Sequence, residues 1–421
     1  MPYWIRFVFG PGWNTVTGCR LSKHLRNADR HAHLQMRVAF IIEHLDPNRG
    51  GMERSAVEFL TELVELGPEV HVVTQTSAWD HPGIHVHTLG VSGWTDEMQY
   101  RDFVDHAQQF LADRPWDIIH AVRPCLSCTM YQPRGGIVKA GQERTVATRR
   151  NGVARLMRHV GLLLDAKERL LASLEHRLLT RPSPPVVVVP SDYVRRQVEE
   201  RYRLSAECMR RVFNGVSVTP LDQSERARAR GIVRREVGVP PDAPVAIFVG
   251  HNFRRKGLAR ILESLAKTAA QGWYLLILGR GAAGHYERYA QQLRILDRVR
   301  FLGSRAEAWD FYCAADVCVL PTYNDPCSRT ILEALSLGLP CITTAYDGSS
   351  ECMRDGEHGF VINSPESVDA LANALDKLRD APTRLYMSEQ TAKLRPYLSM
   401  RRHAAEVNAV YREIAGRCVR A

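Results

Sequence analysis

The feature that most limits what this chain can fold into is a repeated alternation of short apolar runs with longer stretches of helical period. Arg37-Val-Ala-Phe-Ile-Ile42 is a compact apolar run of strand length. It leads into a glycine-containing loop at 49–51 and a helical pattern over 52–66. Strand patterns at 69–74 and 117–121 follow, the second after a helical stretch at 100–113. Helical periodicity fills 151–179 until Pro182, Pro184 and Pro185 interrupt it. A strand at 186–189 then precedes a helix at 191–202. Runs of this length and order read as parallel strands joined by crossover helices.

A polar, proline-dotted stretch at 217–244, helical in part, breaks the series after Asn214-Gly215. A second series then begins, with strands at 245–249, 273–278, 299–301, 316–320 and 340–343. Helices at 257–270, 284–296, 306–314 and 329–337 alternate with them. The expected fold class is α/β, with two doubly wound domains facing a cleft. A length of 421 residues suits two domains, each of about 150–200 residues. The expected partition is 36–215 and 216–396. Residues 1–35, rich in His and Arg and without clear period, read as an extension. In such sheets ligands bind outside the carboxyl ends of the strands.

Composition narrows the class. An apolar fraction of 45% and a charged fraction of 24% fit a soluble globular chain. A net charge of +10 favours anionic partners. Cys313, Cys318, Cys327 and Cys341 sit in apolar or site-like surroundings, as reduced thiols do. Cys125-x-x-Cys128 has no second ligand pair of the kind a zinc site needs. No apolar run approaches the ~18 residues of a membrane span, and the N-terminus lacks a signal-peptide core. A cytoplasmic location is expected.

Four places carry chemistry. Asp325 stands before a predicted helix and Glu333 lies inside it. Ser328 is placed to cap that helix, leaving the amides of Arg329, Thr330 and Ile331 free for an anion. Two carboxylates around such a terminus can divide the work of binding sugar and ribose hydroxyls. A polar loop followed by an ordinary helix-start Glu is the other reading. Gly250-His-Asn-Phe-Arg-Arg255-Lys256-Gly257 follows a strand, and adjacent cations there can clamp a diphosphate; a solvated basic loop is the alternative. Gly50-Gly51 lets backbone approach a ligand closely, or simply turns the chain from strand to helix. His120 ends a strand, where it either meets a sugar hydroxyl or serves the core.

The stretch Pro321-Thr-Tyr-Asn-Asp325-Pro-Cys-Ser-Arg-Thr-Ile-Leu-Glu333-Ala-Leu-Ser-Leu-Gly-Leu-Pro340 resembles the Glu-x7-Glu motif of retaining GT-B glycosyltransferases of family four. Within that family it is most similar to the lipopolysaccharide core α-glucosyltransferase group. The resemblance runs from about Met36 to the C-terminus. It implies a GT-B fold of two Rossmann-like domains, the second binding a nucleotide-sugar. It also implies that Asp325 and His120 contact the donor sugar and that Glu333 binds the ribose. Arg255, Lys256 and the backbone at Ser328, Arg329 and Thr330 would hold the pyrophosphate, with Gly50, Gly51 and Gly250 beside it. Val-Pro-Ser191-Asp and Val-Phe-Asn214-Gly resemble the family's strand ends near the interdomain crossing. The tail from Tyr397, about 397–421, resembles a final helix returning to the first domain. The chain departs from the pattern in two places: the first acid is Asp rather than Glu, and Ser328 replaces a usual Gly.

The implied activity is transfer of a hexose from a UDP- or GDP-sugar, UDP favoured, to a glycan or glycolipid hydroxyl with retention. No Asp-x-Asp motif is present to hold a metal, so no metal or other cofactor is expected. Arg123 and Gln132-Pro-Arg134-Gly-Gly136 are placed toward the acceptor. Arginines interleave with leucines over 144–181, as in a helix lying on an anionic membrane or one that packs on a core with a solvated basic face. Nucleic acid is a poorer partner, because the charge is not gathered into a recognised module. A nucleotide-sugar epimerase and a catalytically silent sugar-nucleotide scaffold are the rival functions.

Overall fold

The computed structural model describes residues 35–149, 151–219, 222–267, 272–305 and 308–418. All of the expected extension except Gln35 lies outside the described residues, as do parts of the helices expected at 257–270 and 306–314. Met36–Ala421 forms one compact unit.

The first sheet contains β1 (Arg37–Ile41), β3 (Glu69–Thr74), β5 (Ile84–Thr88), β6 (Ile118–Ala121), β7 (Met130–Tyr131), β8 (Val186–Val189) and β9 (Met209–Arg211). Its order is β5-β3-β1-β6-β7-β8-β9. A short separate pair is formed by β2 (His44–Leu45) and β4 (Thr76–Ser77). The helices of this half are α1 (Gly51–Val64), α2 (Asp96–Ala112), α3 (Val138–Ala147), α4 (Gly152–Leu164), α5 (Ala166–Leu179) and α6 (Asp192–Tyr202). The second sheet holds β10 (Val245–Val249), β11 (Tyr274–Leu278), β12 (Val299–Gly303), β13 (Val317–Leu320), β14 (Cys341–Thr344) and β15 (Gly359–Ile362). Its order is β12-β11-β10-β13-β14-β15. Around it lie α7 (Gln223–Glu236), α8 (Leu258–Lys267), α9 (Ala283–Gln292), α10 (Trp309–Ala314), α11 (Arg329–Ser336), α12 (Val368–Lys377) and α13 (Ala381–Ala392). The last helix, α14 (Met400–Cys418), belongs to the first half.

Each strand pair in these two sheets is parallel. Counted within its own half, the second sheet runs 3-2-1-4-5-6, the doubly wound Rossmann order. The pleat explains the two layers of helices. Val38 and Phe40 of β1 face one core with Phe59 and Leu60 of α1 and Tyr411 of α14. Ala39 and Ile41 face the other, with Phe103 of α2 and Val194 of α6. On α1 the buried residues Ala56, Phe59, Leu60 and Leu63 follow the i, i+3, i+4, i+7 spacing of one helix face.

The run expected to be helical over 151–179 divides into two helices at Asp165. Its carboxylate accepts from the amide of Glu168 at 3.1 Å and starts α5, while its extended backbone ends α4. Helix α8 begins one residue later than expected because Gly257 takes a left-handed φ of 79°. A Cβ there would lie 2.1 Å from the carbonyl oxygen of Pro321. The chain crosses between the halves twice, side by side: Val216 N donates to Leu398 O at 2.9 Å and Met400 N to Val216 O at 3.1 Å. A Cβ on Gly215 would meet Ser399 O at 2.5 Å, so only glycine fits that crossing.

Glu175 on α5 is fully buried and holds the first half together locally. It accepts from Tyr131 OH at 2.8 Å, Tyr202 OH at 3.0 Å and Val138 N, the first amide of α3, at 2.9 Å. Burial pushes its pKa up from 4.5 to about 7, against the pull of those bonds. A carboxyl whose folded pKa is raised contributes stability that is fully present below its unfolded pKa and lost as pH rises through the folded one. Between about pH 4.5 and 7 unfolding free energy should therefore fall with pH. Glu175→Gln should flatten that part of the curve, measured by urea unfolding across the window.

Candidate active site

In a doubly wound sheet the crevice opens where neighbouring crossovers leave in opposite directions. Here that happens between β1 and β6 in the first sheet and between β10 and β13 in the second. Gly50 and Gly51 stand at the start of α1, after β1 and the short β2, and His120 lies near the end of β6. The 250–257 loop follows β10, and Pro321–Asp325 follows β13. Chain topology thus brings each of the four sequence constellations to a switch point.

In the second half, Lys256 Nζ donates to Asp325 Oδ2 in a buried ion pair. The two residues expected to serve phosphate and sugar separately are in direct contact. Arg255 beside them makes no ion pair among the described residues, and its Nε is buried without a partner. Its backbone carbonyl accepts from Tyr323 N at 2.9 Å and Thr322 Oγ1 at 3.2 Å, tying this loop to the one after β13. Gly250 packs against the stem of Lys256, where a Cβ would make an ordinary 3.4 Å contact.

Helix α11 starts at Arg329 as expected, but Ser328 does not cap it with its side chain. Its Oγ is buried and unpartnered, and its amide donates to Asp347 Oδ1 at 3.0 Å. The first-turn amides of Arg329 and Thr330 are left without a side-chain cap, and Thr330 Oγ1 donates to Val249 O at 3.1 Å. Asp347 is a site residue that the sequence reading missed. It is fully buried, accepts from Thr343 Oγ1 at 2.9 Å and Ser349 N at 3.0 Å, and pairs in backbone register with Asp325. Burial, with the Asp325 carboxylate beside it, pushes its pKa up to about 6. The Asp347-Gly348 turn pair was its available signal.

Glu333 does not stand free. Its Oε1 accepts from Arg329 Nε at 2.6 Å and its Oε2 from Tyr312 OH at 3.2 Å. The same guanidinium reaches Glu58 of α1 through Nη1 at 2.9 Å and Nη2 at 2.5 Å, a bidentate bond between the halves. Further bonds close the seam at the start of α6. Ser191 Oγ donates to Pro326 O at 2.7 Å and Tyr193 OH to Asn324 Oδ1 at 2.7 Å. Glu351 accepts from the amides of Asp192 at 2.8 Å and Tyr193 at 2.7 Å, an acid on a helix N-terminus. Glu58 and Glu351 were invisible to the sequence reading because their partners lie far away in the chain.

On the first-half side, Gly50 is extended at φ −178°, and a Cβ on Gly51 would sit 3.8 Å from the Arg329 side chain. Arg123, placed toward an acceptor by its position, faces the buried Glu43 at 3.4 Å, which also accepts from Lys167 at 2.6 Å. His120 corrects its expected role as a sugar contact. Its ring has no exposed surface and packs edge-on to Phe40 and Phe59. Nδ1 lies 2.6 Å from Tyr411 OH on the returning helix. Burial, with Arg134 and His403 nearby, holds its pKa well below the ordinary imidazole value, so it is a neutral core group. Tyr411→Phe should cost about 1–3 kcal/mol in unfolding free energy, the penalty for orphaning a buried polar group. Its KM for donor should stay unchanged; a shift in KM without loss of stability would restore His120 to the site.

Cys125 and Cys128 are buried free thiols, and burial pushes the pKa of Cys125 up to about 11. Among the described residues the ligand-type side chains that gather closely are Glu69, His71 and His85. They lie on β3 and β5, away from the switch points.

Two family models match the chain: Glycosyltransferase Family 4 over residues 49–219 and Glycosyl transferases group 1 over 230–394. The lipopolysaccharide glucosyltransferase WaaG of Escherichia coli (strain K12) is 23% identical over 383 residues, covering 89% of this chain and 96% of that protein. A D-inositol 3-phosphate glycosyltransferase of Stackebrandtia nassauensis is 26% identical over 390 residues, 83% of this chain and 85% of its own. Among solved structures, WaaG superposes with a TM-score of 0.74 at 22% identity, covering 89% of this chain and 99% of that one. Anabaena Alr3699/HepE in complex with UDP-glucose gives 0.64 at 17% identity, covering 89% and 100%. Sequence and architecture agree, and the chain belongs to the group 1 and family 4 glycosyltransferases, with the GT-B arrangement of two Rossmann-like domains.

Proposed function

We propose that this glycosyltransferase moves a hexose from a UDP-sugar to a hydroxyl of a lipid-linked glycan, with retention of configuration and without a metal ion. The observation that carries the reading is the Lys256–Asp325 pair, set beside Arg255 and the uncapped start of α11 at one switch point. Cations and backbone amides there suit a diphosphate, and an adjacent carboxylate suits sugar hydroxyls. The UDP-glucose complex of the similar HepE fold supports a UDP donor. The lipopolysaccharide acceptor named for WaaG supports a glycolipid.

In the proposed step the bond from the sugar's anomeric carbon to the β-phosphate oxygen breaks, and the nucleoside diphosphate leaves. Lys256 and Arg255 stabilise the negative charge that builds on that oxygen. The acceptor hydroxyl attacks from the face the phosphate leaves, and its proton passes to a phosphate oxygen. Asp325 positions the sugar, releasing Lys256 toward the phosphate as donor enters. Glu333 holds the ribose, with Arg329 fixing its carboxylate.

Contact with a membrane is assigned to α4. Val153, Leu156, Met157, Val160, Leu163 and Leu164 follow helical spacing along one stripe, yet each is exposed, from 44% to 75%. An apolar stripe turned to solvent beside Arg155 and Arg158 suits the surface of an anionic bilayer. Among the described residues no helix is long and apolar enough to cross one.

Lys256→Ala should lower kcat by roughly 10²-fold or more if Lys256 meets leaving-group charge. Unchanged turnover of UDP-glucose, followed as UDP release, would remove it from the mechanism. The same assay with excess chelator should retain full rate, and a loss restored by a divalent ion would refute the metal-free step.

A further inference from the structure

A cavity of about 290 Å³ opens where the end of α3 and the start of α4 approach the second half. One wall is Arg144, Arg149 and Arg155, and the other includes Tyr346, Ser364 and Glu366. Its size falls just below that of whole small-molecule sites, which run from about 300 to 1,000 Å³, and suits one small group.

The charges of this cavity are unbalanced. Arg149 makes no ion pair among the described residues, and its Nε is buried without a partner. Burial, then the nearby charges of Arg254 and Arg158, lower its pKa, which marks it as a cation among cations. Arg155 donates Nε to Arg149 O at 2.8 Å, leaving the rest of its guanidinium uncommitted. The Arg144 guanidinium lies 4.3 Å from the Tyr346 ring centroid. Glu366 is the one carboxylate among the described lining residues, and its charge is already met: it accepts from Tyr323 OH at 2.5 Å and faces Arg260 at 3.2 Å. Ser364 Oγ accepts from Glu366 N at 3.2 Å, which leaves its hydroxyl hydrogen to donate. The lining thus offers many donors and no uncommitted anion. Guanidinium forks match phosphate geometry and have no acceptor of their own.

We propose that this cavity binds a phosphate group carried by the acceptor. Arg149 and Arg155 grip it from the first half, Arg144 flanks it against Tyr346, and Ser364 donates from the second half. The site rests on the glycosyltransferase reading and adds a requirement to it: the acceptor is phosphorylated near the hydroxyl that receives the sugar. It lies beside the exposed apolar stripe, since Arg155 and Leu156 are adjacent on α4. A phosphate on a lipid-borne glycan and one on a soluble glycan share this chemistry.

The test uses the full chain and two probes. Glucose 6-phosphate, with glucose as control, is titrated calorimetrically. Vesicles of phosphatidylglycerol with phosphatidylcholine, and of phosphatidylcholine alone, are used for co-sedimentation. Binding of glucose 6-phosphate, but not glucose, is expected, weaker by about tenfold or more in R149A/R155A. It should be partly kept in R149K/R155K, which shows that the fold survives, and unchanged in K256A, which separates this cavity from the donor site. Vesicle binding lost in L156S/M157S while glucose 6-phosphate binding persists places the phosphate on a lipid-borne acceptor. Absence of vesicle binding with glucose 6-phosphate binding intact keeps the cavity, assigns it to a soluble acceptor and refutes only the membrane contact. No binding of glucose 6-phosphate, or binding indifferent to R149A/R155A, overturns the proposal. Loss of vesicle binding alone on the arginine changes overturns it too.

Discussion

The divergence of neighbouring crossovers in a parallel sheet is the constraint on which the site depends. Beside β1 and beside β10, one connection leaves to each face, and the strand ends between them are left uncovered. The residues at those ends need no long loops to reach the cleft, because sheet order has already placed them there. The second sheet supplies the cations after β10 and the acid after β13. Gly257 locks the two loops in contact, since only a residue without a side chain can pass so close to Pro321.

Buried charge is the cost of this arrangement, and the protein meets it by pairing. Lys256 and Asp325 neutralise each other, and Arg329 is shared between Glu333 and Glu58. Pairs of this kind contribute little net stability once desolvation is counted, but removing one member is expensive. They therefore work as placeholders. On the proposed function, a diphosphate or a ribose that enters exchanges one partner for another, so the pairs keep these charges buried and matched until then. The cluster around Arg149 differs, because the one carboxylate near it among the described residues, Glu366, is already held by Arg260 and Tyr323.

Much of the scaffold was legible in the sequence. The strands 69–74, 186–189 and 245–249 were placed to the residue because each is a central strand, buried on both faces and bounded by turn residues. Some edge and minimal strands escaped, although the edge strand at 299–303 was found in part. Ile84–Thr88 alternates His with apolar residues on a half-exposed edge, and Met130–Tyr131 is too short to carry a period. The motif residues were found because they cluster locally. Their partners Glu58, Asp347 and Glu351 were not, since a carboxylate that serves a distant amide or guanidinium leaves no local pattern. Ser328 shows the converse failure: a good capping residue by type leaves its hydroxyl unpartnered, and only its amide is bonded, to Asp347. His120 was misplaced for a similar reason, as the helix that buries it comes from the other end of the chain.

That returning helix has a consequence for how the protein is made. Val38, Phe40 and Phe59 of the first half find their cover in Met400, Val407 and Tyr411. The ribosome delivers those residues only after the whole second sheet. Domains generally fold as they emerge, N-terminal first. Here the first domain must wait with one apolar face open while its neighbour is synthesised and folds. The two adjacent crossings at Val216 and Ser399 then make the second domain an insertion within the first. A truncation at the far end of the chain would strike the core of the domain that begins it.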